Sequence, residues 1–311
     1  LSGVSWASAA GGDLFLVCGA WRAFARIHMN QKAWPLRMIH GYAIDGDEAR
    51  DLAGMIASAG KRALERMPGV SRRRVDDLPM AAVVLRRLLR AGRFRRAVFS
   101  ASGLREGWYM RGMPSGLREE DPLLAAARDM AATHGRAPDL PSALLAWTDP
   151  LFPREGAAER RLREAACWMS DVGSHDHPEF RAEQAFHRVL RQPALGLDHP
   201  TRAFLSLAVA MRYEVDEDAS FLRAARLLLD VASLRRAEVL GVALRLAYTL
   251  SAGTRELLAG AALRQRGGKL ALALAPGSGV FAGEAVMRRL DRLAQAMGLE
   301  AATEDAALAA E

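Results

Sequence analysis

The sequence predicts an α/β unit, then a helical unit, then a small α+β unit, and three observations carry that reading. In the first 110 residues two apolar runs, at 13–17 and 96–100, each end in a small-residue turn and lead into a helical pattern. From Ala157 to about Ser233 the apolar spacing is helical throughout. Near the end, Gly267-Gly268 separates two strand-like runs, a two-residue hairpin signal, ahead of an amphipathic stretch at 284–297.

Each element follows in order. Asp13 to Val17 reads as a buried strand running into the turn Cys18-Gly19. Trp21 to Met29 is helical, with Trp21, Phe24 and His28 on one face. Asp45 to Glu48 opens a longer helix with an acidic cap and Glu three positions on, a capping-box pattern, and Pro68-Gly69 ends it. After Ser71 and three arginines, a helix starting around Pro79 runs to Gly92. Arg96 to Ser100 is a second buried strand, turning at Ser102-Gly103 into a helix from Leu104. The stretch 136–153 holds Pro138, Pro141, Pro150 and Pro153 and reads as a linker or as the start of the next domain. Helices then alternate with turns at Gly173, at 193–197 and at 213–218. A further helix spans Ala237 to Ser251, and the acidic, Ala-rich tail beyond Thr303 reads as frayed. The expected division is a first α/β unit at 1–135, a linker at 136–156, a helical unit at 157–235, an α+β unit at 236–302, and the tail.

Composition bounds the function classes. Half of the 311 residues are hydrophobic and a quarter charged, enough for a sizeable core. No apolar run approaches the roughly 20 residues that span a bilayer, so no membrane partner is expected. The opening residues lack a basic n-region, and a start at Leu1 suggests a piece of a longer protein. Cys18 and Cys167 lie in apolar contexts and read as reduced, buried thiols of a cytoplasmic protein. The net charge is +7, and all but three of the 43 basic residues are arginine. An anionic partner explains that bias, and so does a GC-rich coding sequence. The basic stretches lack interleaved aromatics, which argues against single-stranded nucleic acid.

Several phrases occur in the order of one family. VCGAWRAFARIHM, WPLRMIHGYAI, SRRRVDDLPMAAVVLRRLL, VFSASGLREGWY, ACWMSDVG and LRLAYTLSAG together resemble the exopolyphosphatase / guanosine pentaphosphate phosphohydrolase family over nearly the whole chain. The resemblance implies the second lobe of an actin-like ATPase fold, then a helical domain related to the HD phosphohydrolases, then a small α+β domain. It implies Mg²⁺-assisted attack of water on a terminal phosphate of inorganic polyphosphate, or on the 5′-terminal phosphate of guanosine pentaphosphate, and a homodimer. The family's two phosphate loops and its general-base glutamate belong to the half that has no counterpart here, so the chain alone is expected to be inactive. Asp171-Val172-Gly173-Ser174 matches a phosphate loop in letters, but it follows a helix and lacks the strand that would support it.

Gly19, Arg22, Arg73, Arg74, Arg105 and Glu106 are the candidate substrate-binding residues. Gly19 and Arg22 follow the first strand, where ligands sit in such sheets; they line the phosphate site or merely build the corner. Ala20 stands where the family has a second glycine. Arg105 and Glu106 either form an ion pair fixing the helix start, or Arg105 meets phosphate directly. Arg73 and Arg74 belong to a basic zone that is a solvated face or a polyphosphate track. No metal ligands are expected: the HD pair falls at Ser170-Asp171, which lacks its histidine, and His175, Asp176 and His177 read as a turn capping the next helix. His28 and His40 read as structural.

Overall fold

The computed structural model describes residues 11–278, 280 and 282–305. It is a mixed α/β structure, mostly helical, with two three-stranded sheets. Its contacts divide it into residues 1–119 with 197–199, and residues 120–196 with 200–311.

In the first unit, β1 (Asp13–Val17) pairs in parallel with β3 (Arg96–Ser100), and β2 (Tyr42–Asp45) pairs antiparallel on the other side of β3. The order β1-β3-β2 makes β1 an edge strand. Only Leu16 of β1 is fully buried, and Phe15 is 67% exposed, so the expectation of a buried first strand is corrected: one of its faces lacks a covering layer. Four helices complete the unit's core: α1 (Gly19–Gln31), α2 (Gly46–Ser58), α3 (Lys61–Arg66) and α4 (Leu78–Gly92). α2 and α4 pack on each other, α4 presenting Leu78, Ala82, Leu85 and Leu89 at helical spacing. Each fully buried leucine of this kind contributes roughly 1.5–3 kcal/mol.

The capping box at Asp45 is half realised. The Asp45 carboxylate accepts the Asp47 N–H at 2.9 Å, but Glu48 turns to Lys32 and His28 instead of the backbone. The helix expected to run on to Pro68-Gly69 breaks at Ala59-Gly60, between α2 and α3. Two short helices, α5 (Leu104–Gly112) and α6 (Ser115–Glu119), end the unit with no buried residue, and Trp108 is 71% exposed.

The second unit starts with α7 (Pro122–His134) and α8 (Leu140–Thr148). Of the two readings of 136–153, the linker is corrected and the stretch is part of the next unit's core: Leu140, Leu144, Trp147 and Leu151 are buried, and Trp147 donates to the Ala261 carbonyl at 2.9 Å. Pro141 sits in the first turn of α8, where its missing N–H costs nothing. α9 (Ala157–Met169), α10 (Arg181–Leu190), α11 (His199–Arg212) and α12 (Arg223–Leu228) follow.

α13 (Val231–Ser251) runs straight through the boundary expected at 235/236, so no break in packing falls there. A Cβ on Gly241 of α13 would stand 2.5 Å from Met211 Cβ; the glycine lets α13 approach α11. After the short α14 (Arg255–Ala259), β4 (Ala261–Arg266) and β5 (Lys269–Leu274) form the expected hairpin. Gly267 and Gly268 both take positive φ, +55° and +78°, as a two-residue turn requires. α15 (Glu284–Met297) crosses over to β6 (Glu300–Asp305), which pairs in parallel with β5. Residues 303–305, expected to fray, thus belong to a strand, and the rest of that tail lies outside the described residues. Among the described residues no helix is long and apolar enough to cross a membrane.

Candidate functional site

Parallel pairing in register, Val17 opposite Ser100, brings the carboxyl ends of β1 and β3 side by side. Two turns leave this edge. The first, at Cys18, carries φ of +119°, a strained conformation for a side chain-bearing residue, and α1 begins at once with Gly19. The second, Ala101 to Gly103, is fixed by Ser100, whose hydroxyl donates to the Ser102 carbonyl and accepts the Ser102 N–H, both at 3.1 Å.

Arg22, one turn into α1, reaches across the edge and donates to the Ala101 carbonyl at 2.6 Å, tying the two turns together. Arg74 comes from the other side: a Cβ on Gly19 would stand 2.5 Å from its Nη2, so the guanidinium lies directly over the glycine backbone. Asp77 offers Arg74 a loose ion pair at 3.5 Å. Arg73 shares the short 3₁₀ turn 72–74 with Arg74 and is exposed.

Glu106 accepts the Gly103 N–H at 2.6 Å and so fixes the start of α5. Its own backbone N–H and that of Gly103, then the charges of Arg105 and Arg22, hold its carboxyl below the ordinary range. Of the two readings of Arg105, the ion pair with Glu106 is absent among the described residues, where the backbone cap fixes the helix start; Arg105 is exposed. The structure therefore gathers Gly19, Arg22, Arg74 and Glu106 at one sheet edge, with Arg73 and Arg105 at its margin. Sequence reasoning missed Cys18, Ser100 and the Ala101 carbonyl, whose part depends on strand pairing that no local motif announces.

The family resemblance implies magnesium, and the donors at this edge do not fit it. Mg²⁺ takes hard oxygen ligands in octahedral array. Here the carboxylate nearest the two turns, Glu106, already accepts backbone N–H bonds, and the charged groups that act on it are the guanidinium groups of Arg105 and Arg22. Among the described residues no three His, Cys, Asp or Glu side chains converge as a metal-holding group. Asp171 is engaged elsewhere: it accepts three bonds from Arg136 at 3.0–3.1 Å. Asp176 pairs with Arg188 at 2.7 Å.

Cys18 is exposed in its turn, which corrects the expectation that both thiols are buried; a strand-end turn on an edge strand has nothing above it. Cys167 is fully buried, and burial pushes its thiol up to about 12. His28 is structural, its Nδ1 sharing a 2.6 Å hydrogen bond with the Tyr42 hydroxyl.

Fold and turns together define a mixed α/β protein in which parallel strands end in backbone turns flanked by guanidinium groups, an arrangement suited to receiving anions. Residues 123–303 match the family described as "Exopolyphosphatase, C-terminal". The chain belongs to that family. It is also similar to Retrograde regulation protein 2 of Saccharomyces cerevisiae, at 27% identity over 216 residues, 65% of this chain and 36% of the relative. The chain thus spans about a third of that curated relative's length.

Proposed function

We propose that this chain receives phosphoanhydrides at the carboxyl ends of β1 and β3, as part of an exopolyphosphatase acting on inorganic polyphosphate or on guanosine pentaphosphate. The observation that carries the reading is the convergence of the Gly19 turn, Arg22 and Arg74 at one edge of parallel strands. Guanidinium forks bind phosphate oxygens in pairs, and a Cβ-free turn admits them close to the backbone. In this reading the first unit is half of an actin-like lobe, and the helices from 157 to 235 form an HD-like domain without metal ligands.

The chain alone binds and does not hydrolyse. A general base works best with a pKa near the operating pH, and the backbone N–H groups and arginines around Glu106 lower its pKa and so weaken it as a base. No step is assigned to magnesium, because the described donors do not fit it. The proposal also includes a cytoplasmic setting, no nucleic-acid partner, and a homodimer formed through the exposed apolar residues of α5, tested by sedimentation of wild type against Trp108→Glu.

The test pairs polyphosphate binding with phosphate release in the presence of Mg²⁺. We expect binding at low ionic strength that weakens as salt is added, without release of phosphate. Gly19→Ala must displace the Arg74 guanidinium; because that group is flexible, the melting temperature should hold within about 4 °C while affinity falls roughly tenfold, about 1.4 kcal/mol. Absence of binding at low ionic strength, or a Gly19→Ala variant that binds within twofold of wild type, would overturn the reading. Phosphate release by the chain alone would overturn its non-hydrolytic part.

A further inference from the structure

The second unit carries a pocket whose chemistry differs from that of the strand-end turns. It measures about 570 Å³ and opens beside the first half of α13 and the last turn of α15. That size lies within the range of small-molecule sites. Its walls are mostly apolar, with Phe152 after α8, Val231 and Val239 of α13, and Met297 of α15. Arg235 and Arg236 are its charged residues, and no carboxylate lines it.

The two arginines differ in what they are free to do. Arg236 is committed: it pairs with Glu155 and lies over the Phe152 ring, 4.4 Å from the centroid. Glu155 is itself shared with Arg163 and Arg160 and has no charge to spare for the pocket. Arg235 has no carboxylate partner among the described residues. Its Nε donates to the Ala296 carbonyl at 3.4 Å, which orients the side chain against the end of α15. Among the described residues its terminal nitrogens have no acceptor. Val231, in the first turn of α13, is 83% exposed. Val231, Arg235 and Val239 recur at four-residue spacing, so one face of α13 presents apolar, cationic and apolar groups over about 12 Å.

We infer that this pocket binds a small monocarboxylate with an apolar body, of the medium-chain fatty acid type. The body covers Val231, Val239, Phe152 and Met297 and takes their apolar surface out of water. The carboxylate accepts paired bonds from the fork of Arg235. Charge complementarity selects this ligand: one cation without an opposing acid answers one anion. A phosphate chain fits poorly, because its many charges would lose water against apolar walls with a single free guanidinium to meet them. An apolar side chain from a second copy would cover the walls and leave Arg235 unanswered. The pocket shares no residue with the strand-end turns, and the inference does not rest on the function proposed for them.

The test is calorimetric titration of the full chain with octanoate and, separately, with octanol, which keeps the body and lacks the charge. The variants are Arg235→Gln and Val231→Glu. Arg235 is exposed, and a carboxylate in the first turn of α13 suits the helix dipole, so both should keep the fold, which the melting temperature verifies. We expect saturable octanoate binding that each variant weakens about tenfold, while Arg235→Gln leaves octanol within twofold of wild type. Wild type that shows no saturable octanoate binding would overturn the inference. So would octanoate affinity within twofold of wild type in Arg235→Gln, or equal losses of octanoate and octanol in that variant. Displacement of octanoate by inorganic polyphosphate would assign the pocket to the phosphate-receiving surface and likewise overturn it. Sedimentation adds the last outcome: a wild-type dimer that Val231→Glu separates would put a second copy over the pocket, against the inference.

Discussion

The ion network around Arg163 offers a prediction whose magnitude follows from the charges that each replacement leaves behind. Arg163, 1% exposed on α9, donates to Glu155, to Asp149 at 2.5 Å, to the Leu145 carbonyl at 2.6 Å and to the Thr148 hydroxyl at 2.7 Å. Glu155, whose side chain is 6% exposed, is further paired with Arg236 and Arg160. The network therefore holds three guanidinium groups and two carboxylates. Arg163→Met removes one cation and leaves two of each sign, still in contact. Breaking a buried pair costs about 3–5 kcal/mol, and the remaining balance puts this variant at about 3. Glu155→Gln instead leaves three cations around Asp149 alone, with the Arg163 charge enclosed, and belongs at about 5 kcal/mol. For a unit of this size that corresponds to a fall in melting temperature of roughly 6–12 °C against 10–20 °C. Guanidinium melts of both variants, read by far-UV circular dichroism, give the comparison. A larger loss for Arg163→Met than for Glu155→Gln, or losses under about 1 kcal/mol for both, would refute the charge accounting.

Two further predictions concern the cysteines and His28. With Cys18 exposed and the Cys167 thiol buried and pushed up to about 12, Ellman's reagent should modify one thiol in the native protein. The second should react only in denaturant, and two fast equivalents would contradict the burial of α9. Burial lowers the His28 pKa in the folded chain, partly opposed by attraction to Glu48. The unfolded chain therefore takes up the proton first, and stability falls as pH drops below about 6.5 until the folded pKa is reached. His28→Gln should flatten that slope in urea melts between pH 7 and 5. An unchanged slope would mean that the ring takes up its proton at the same pH in the folded and unfolded chains, against the effect of its burial.

The family phrases around Gly19 and Arg105 were legible because turns and strand ends are local. Glycine, small residues and a short apolar run specify a strand-to-helix corner whatever surrounds it. The hairpin at Gly267-Gly268 and the helix at 284–297 were readable for the same reason: positive φ and amphipathic spacing are carried by the residues themselves. The stretch 136–153 misled because proline marks loops and first turns of helices alike, and only the burial of Leu140, Leu144 and Trp147 decides between them. The short strand Tyr42–Asp45 was invisible, since four residues carry too little alternation to announce a partner.

By itself, then, the order of residues determined most of the helices, two strand-end turns, one hairpin and the family to which the chain belongs. Only the folded chain decided that β1 is an edge strand, that Arg74 lies over Gly19, that Glu106 serves the backbone rather than Arg105, and that Phe152, Val231 and Met297 meet Arg235 in one pocket. The difference is one of range. Backbone preference and helical spacing act over a few residues and are written along the chain, whereas burial and the balance of charge depend on which distant segments become neighbours.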